Sequence, residues 1–231
     1  RAGLLAAAAA FALLILAMML SQRVAEPIIA GLQTEVAQRQ RAEARLSRIN
    51  AVLNGVREAV RFTIRERDRD RLLAGMCDRL MSSRGFQSVW IVLLGRGGKL
   101  ERMWAAGPQE SRARFRSAID AGERPPCVNL VLPKARALYI EDVGTICRAC
   151  VLAQCHPHRG AVIARLEHLG RVFGVLGVAL AADEPATDEE ILALEGVAAD
   201  LALALHAIEA EELRLQTEEQ LQDRERMLRR T

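Results

Sequence analysis

The pattern of apolar and polar positions along this chain changes character four times. Ala2 to Leu20 is a run of nineteen residues without a charged or strongly polar side chain. As a helix rising about 1.5 Å per residue, it is long enough for the roughly 30 Å hydrocarbon core of a bilayer. A secretory signal would have a shorter apolar region and a small-x-small cleavage site. Here Arg23 falls where a small residue is required. A wholly apolar core helix of this length is unusual in so small a domain. Residues 1–22 are therefore read as a transmembrane helix.

Beyond the run, apolar or small residues recur at Ala42, Leu46, Ile49, Leu53, Val56 and Val60. The steps alternate between four and three, which is the seam of a heptad helix. The other faces mix Arg with Glu, as a solvated coiled-coil surface does. This predicts a juxtamembrane signalling and coiled-coil helix over 23–66, paired with a second copy as a parallel homodimer. The alternative is one amphipathic helix packing on its own domain.

From about Arg71 the pattern shifts again. Leu72, Leu73, Met76, Cys77 and Leu80 mark one face of a helix that ends near Arg84-Gly85. Strand-like runs follow at Gln87 to Leu94, Lys99 to Ala105, Ala137 to Glu141, Ala161 to Glu167 and Arg171 to Leu180. Gly95-Arg96-Gly97-Gly98 and His168-Leu169-Gly170 separate two pairs of them, the short links of antiparallel hairpins. Helix, strand pair, irregular middle, strand pair and helix make an α+β domain over 67–209, with an antiparallel sheet flanked by helices. A last helical pattern starts at Asp188, with Ile191, Leu194, Val197, Leu201, Leu205, Ile208 and Leu215 on its apolar side. Its 210–231 portion is mostly Glu, Gln, Arg and Leu, and is read as a signalling helix leading to an output domain beyond the sequence.

Composition narrows the function classes. The net charge is +3, aromatics are 3% of residues, and acidic residues are interleaved with the arginines. A nucleic-acid interface would gather basic residues on one face, so nucleic acid is excluded as a partner. The basic residues after the apolar run, from Arg23 to Arg48, favour a cytoplasmic C-terminal side. Five cysteines, an odd number with one Cys-x2-Cys pair, fit a reducing compartment. The expected location is the inner (plasma) membrane, single-pass, with the α+β domain in the cytoplasm.

Phe86-Gln87-Ser88-Val89-Trp90-Ile91-Val92-Leu93 resembles the first strand of a GAF domain, and Arg171 to Val178 is similar to that family's late strand, where glycine alternates with apolar residues. Asp188-Glu189-Glu190 and the apolar positions after it resemble its terminal helix. More narrowly, Pro125-Pro126-Cys127-Val128 followed by Cys147-Arg148-Ala149-Cys150 resembles the GAF domains of membrane-linked sensor histidine kinases. The resemblance implies a GAF-like fold, sensory input to a kinase, and a downstream kinase or response regulator as partner.

Cys127, Cys147, Cys150 and Cys155 stand as C-x19-C-x2-C-x4-C, with His156 and His158 beside the last. A Cys-x2-Cys turn brings two thiolates to one ion or cluster. By residue type four thiolates suit zinc and an iron–sulfur cluster equally, and His156 is a substitute ligand. Haem is a third candidate, without a Cys-x-x-Cys-His run to support it. Thiol–disulfide sensing without metal, and simple packing, are the remaining readings of these cysteines; packing is the reading for Cys77. No nucleophile elbow, phosphate loop or kinase signature occurs, so no catalytic residue is expected in this segment. The expected function is sensing of redox state or a small ligand through a cysteine-bound metal centre. Its rival is a zinc-stapled dimerisation module with no sensed ligand.

Overall fold

The computed structural model describes residues 2–82, 86–95, 97–148, 150, 160–180 and 185–228; of the first thirty side chains it describes Met18 alone, and those of Arg48, Val56 and Ile64 are also outside the description. The chain divides into two units, Arg1–Ser47 and Arg48–Thr231. The first is the leading part of helix α1 (Ala2–Arg65). The Ala2–Leu20 run is helical, but its side chains, Met18 apart, lie outside the described residues.

The second unit holds the rest of α1 and an α+β domain. The chain breaks at 66–68 and resumes as α2 (Arg69–Ser82), whose buried residues are the five expected, Leu72, Leu73, Met76, Cys77 and Leu80. The strands are β1 (Phe86–Leu94), β2 (Leu100–Ala106), β3 (Leu138–Ile140), β4 (Ala161–His168) and β5 (Arg171–Leu180). They form one antiparallel sheet in the order β2-β1-β5-β4-β3. The β4–β5 hairpin closes through Leu169 (φ 51°) and Gly170 (φ 76°). Two positive φ values are what a two-residue primed turn requires, and they put the 83% exposed Leu169 where leucine seldom goes.

The middle of the domain, read from sequence as irregular, contains helices. These are α3 (Gln109–Asp120), α4 (Pro126–Val131) and α5 (Val143–Ile146). In α3 the buried residues Ser111, Phe115 and Ile119 recur every four positions. That is helical spacing, hidden in the sequence by the arginines between them. The last helix is α6 (Asp188–Leu228). It opens with a reciprocal cap: the Thr187 N–H donates to Glu190 Oε2 (3.0 Å), and the Glu190 N–H donates to Thr187 Oγ1 (3.2 Å).

Strand alternation sorts side chains into two cores. On one sheet face Val89, Ile91, Leu93, Val162, Ala164, Leu176 and Val178 pack with α2, with Val52 and Ala59 of α1, and with Leu194 to Ile208 of α6. On the other, Trp90, Val92, Ile163 and Val175 pack under α3, α4 and the α5 turn. Among the described residues α6 is the one helix long and apolar enough to cross a membrane. Its apolar side is the domain core, however, with Leu194, Val197, Leu201 and Leu205 each about 1% exposed or less.

α1 carries two apolar stripes where the sequence predicted one. Val52 and Ala59 are buried in the domain's own core, with Thr63 buried one turn on. On the expected seam, Leu46 is 61% and Leu53 36% exposed, while Ile49 and Val60 are half-buried. At the far end of α6's buried face, Glu209 accepts from Arg69 Nη2 at 2.7 Å and from Arg171 Nη1 at 2.5 Å. One carboxylate thus ties the start of α2 and the start of β5 to the helix, one residue after its last buried side chain, Ile208.

Candidate functional site

Two neighbouring rows of side chains cross the second sheet face. Ser88 of β1 pairs with Ala179 of β5, Ala179 with Ala161 of β4, and Ala161 with Ile140 of β3. In the adjacent row Trp90 pairs with Gly177 and Gly177 with Ile163. Small residues at Ser88, Ala179 and Ala161 leave a hollow above the sheet. It is a cavity of about 30 Å³ lined by Ser88, Trp90, Ile140, Cys127, Cys147 and Cys150, among others. Trp90 walls one side, held edge-on against Phe115 of α3 at 5.4 Å between ring centres.

The cysteines form the roof, each delivered by a local signal. Pro125 caps α4 and Pro126 fills its first turn, where a missing N–H costs nothing. That sets Cys127 facing inward. Asp142 caps α5 by accepting from the Gly144 N–H at 2.8 Å. Cys147 terminates α5, its N–H donating to the Val143 carbonyl (2.8 Å), and the Cys150 N–H donates to the Cys147 carbonyl (2.7 Å). The Cys-x2-Cys segment is therefore a tight turn. None of the four described cysteines is in a disulfide.

Cys127 and Cys147 are hydrogen-bond partners. The Cys127 thiol donates to the Cys147 sulfur, and the Cys127 backbone N–H points at the same atom. These bonds favour the Cys147 thiolate and outweigh its burial, bringing its pKa down to about 7. The Cys127 thiol is pushed up, first by this hydrogen bond to Cys147 and then by burial. Burial likewise pushes up Cys77, which is an ordinary core thiol on α2. The Ser88 hydroxyl is buried against this cavity, and its oxygen has no hydrogen-bond partner among the described residues.

Of the expected site residues, the structure brings together Cys127, Cys147 and Cys150; Cys155 and His156 lie outside the described residues, as does His158. Among the described residues no group of three or more His, Cys, Asp or Glu side chains is placed to hold a metal ion. Sequence reasoning missed Ser88 and Trp90 as lining residues. It also missed the contact of His168 with His206, whose rings lie 5.1 Å apart on the opposite sheet face. The signal for Ser88 was a lone polar residue at an inward position of a buried strand.

The fold is shared with solved structures. The GAF domain of a phosphoenolpyruvate-protein phosphotransferase from Coxiella burnetii aligns with a TM-score of 0.54 at 13% identity, covering 71% of this chain and 98% of that one. fRMsr of Staphylococcus aureus in complex with substrate aligns with a TM-score of 0.52 at 15% identity, covering 67% and 95%. The domain of a two-component sensor histidine kinase protein from Sinorhizobium meliloti 1021 aligns with a TM-score of 0.49 at 16% identity, covering 64% and 96%. The search of curated proteins returned no match. Residues 66–206 match the family model for the GAF domain, from the break before α2 to the buried part of α6. By that match, and by the five-stranded sheet with helices on both faces, the chain belongs to the GAF domain family.

Proposed function

We propose that this chain is the sensory input region of a membrane-bound signal-transduction protein of the sensor histidine kinase type. Ala2 to Leu20 anchors it in the plasma membrane, α1 pairs with its twin in a parallel dimer, and the cysteine-lined cavity on the cytoplasmic side receives the signal. α6 carries the response towards a kinase or response regulator. The observation that carries this reading is the division of labour across the sheet. The cavity is on one face, while α1 and the buried half of α6 pack on the other. A change at the cavity therefore has only the sheet to cross before it reaches both helices that leave the domain. GAF domains are sensory modules, and the Pro-Pro-Cys-Val and Cys-x2-Cys motifs resemble those of membrane-linked kinases.

The test is a fusion of residues 1–231 to the catalytic core of a histidine kinase. Each residue inserted after Leu215 rotates the downstream helix by about 100°. Output should rise and fall with helical phase, and substitution of Cys147 should change it. Output indifferent to both would overturn the reading. Metal analysis of protein purified without oxygen separates the rival: stoichiometric zinc in a colourless protein would favour the structural staple.

A further inference from the structure

We propose that the cavity is a peroxide-reactive thiol site, in which Cys147 attacks a hydroperoxide held against the Ser88 hydroxyl and Cys127 then closes a Cys127–Cys147 disulfide. This rests on the reading of the cavity as the sensing site and names its ligand class.

Size is the first argument. A cavity of about 30 Å³ admits one or two molecules the size of water. Hydrogen peroxide, with two heavy atoms, is of that size. Polarity is the second. The wall is mostly apolar, so a charged ligand would enter at high cost, whereas a neutral molecule with one or two hydrogen bonds is suited to it. Ser88 is 5% exposed and its Oγ lacks a partner among the described residues, which is a penalty unless something occupies the hollow. Access is the third. Cys150 also lines a second, larger hollow of about 270 Å³, bounded by Phe115, Glu123, Arg124, Pro125 and Pro126. Entry for a small neutral molecule would lie along this shared residue.

The chemistry balances. The Cys147 thiolate attacks one peroxide oxygen, the O–O bond breaks, and hydroxide leaves. Cys147 becomes a sulfenic acid, and the hydroxide takes the Cys127 proton to form water. The Cys127 thiolate then attacks the Cys147 sulfur, the S–O bond breaks, and the departing hydroxide takes a proton from solvent. Two sulfurs lose two electrons and one peroxide becomes two waters. Because the Cys127 thiol already donates to the Cys147 sulfur, the second step needs little movement. The Ser88 hydroxyl, on the wall of the same cavity, would donate to the leaving oxygen.

The test uses the full chain, reduced and then treated with one equivalent of hydrogen peroxide, followed by thiol counting and peptide mass spectrometry. The expected result is the loss of two thiols per chain and a single crosslink joining the Cys127 and Cys147 peptides, with Cys77 unchanged. Cys127→Ser should instead trap a sulfenic acid at Cys147, seen as a dimedone adduct. Ser88→Ala should keep the melting temperature but slow the reaction about tenfold, the worth of one hydrogen bond. tert-Butyl hydroperoxide, much bulkier than a water-sized molecule, should react far more slowly than hydrogen peroxide. No crosslink, a crosslink through another pair, or equal rates for the two peroxides would overturn the proposal. If peroxide fails but the kinase fusion still responds to Cys147 substitution, the sensing site stands and only its ligand was misassigned.

Discussion

Trp90 and Gly177 face each other across β1 and β5, and the indole fills the space that any side chain at 177 would need. A Cβ built on Gly177 would lie 2.1 Å from the ring. The ring cannot retreat without disturbing Phe115 on one side or the cavity on the other. Gly177→Ala should therefore destabilise the domain by about 1–3 kcal/mol, the usual cost of overpacking. Thermal unfolding checks this, and an unchanged melting temperature would show the ring to be less confined than its packing implies.

The two stripes on α1 give a paired prediction. Leu53→Asp should weaken the proposed dimer at least about tenfold, since a carboxylate would face its twin, yet leave the fold intact. Val52→Asp places the same charge one residue away, in the domain's own core, and should destabilise folding by several kcal/mol, roughly the cost of an unpaired buried polar group. Light scattering and circular dichroism on both variants separate the effects. Loss of folding in both would mean that the exposed seam is also core.

Stability should rise with pH in a narrow window. The Cys147 pKa is about 7 in the folded chain, against an ordinary thiol value near 9. A depressed pKa stabilises fully above the unfolded value, and that contribution is lost as pH falls through the folded one. The melting temperature should thus climb between about pH 7 and pH 9, by something on the order of 2 kcal/mol in free energy. Above that window the raised thiols of Cys127 and Cys77 act in the opposite direction. Cys147→Ser should flatten the climb, and an equally steep climb in that variant would assign it elsewhere.

Glu209 accepts from two arginines where α6 loses its cover. Glu209→Ala should cost about 1 kcal/mol, as for a partly exposed ion pair. The loss should be local. Hydrogen exchange is expected to accelerate in α6 around residue 209 and at the start of α2, with β1 and β5 unchanged. Uniform acceleration would mean that the carboxylate supports the whole fold.

Topology is checked by fusing a phosphatase that works only in the periplasm after Thr231. Cells should show little activity if the sensor lies in the cytoplasm, and strong activity would reverse the orientation.

The sheet and its bounding helices were legible in the sequence because period-two and period-3.6 patterns are strong when one face is buried. All five strands fall where the alternation places them, within one or two residues. The helices over the cavity were less legible. α4 and α5 are six and four residues long, too short for a periodic signal, and α3 is mostly polar. The cysteines announced themselves by spacing, but spacing did not tell which sulfur donates to which, nor that they roof a hollow. The hollow depends on Ser88, Ala161 and Ala179 sharing a row, which only strand register establishes. The cap formed by Thr187 and Glu190 was readable, since threonine followed three residues later by glutamate is its signature.

Because β1 alternates between the two cores from Ser88 to Leu93, neighbouring residues there answer to different constraints. Val89 and Ile91 serve the helices, while Ser88, Trp90 and Val92 serve the opposite core. The strand works as two interleaved texts on one backbone, each editable without rewriting the other. Substitutions at Ser88 and Trp90 could re-line the hollow for a different small molecule while the helix-bearing side keeps its shape. A frame of this kind lets recognition diversify while the helix-packing side stays fixed.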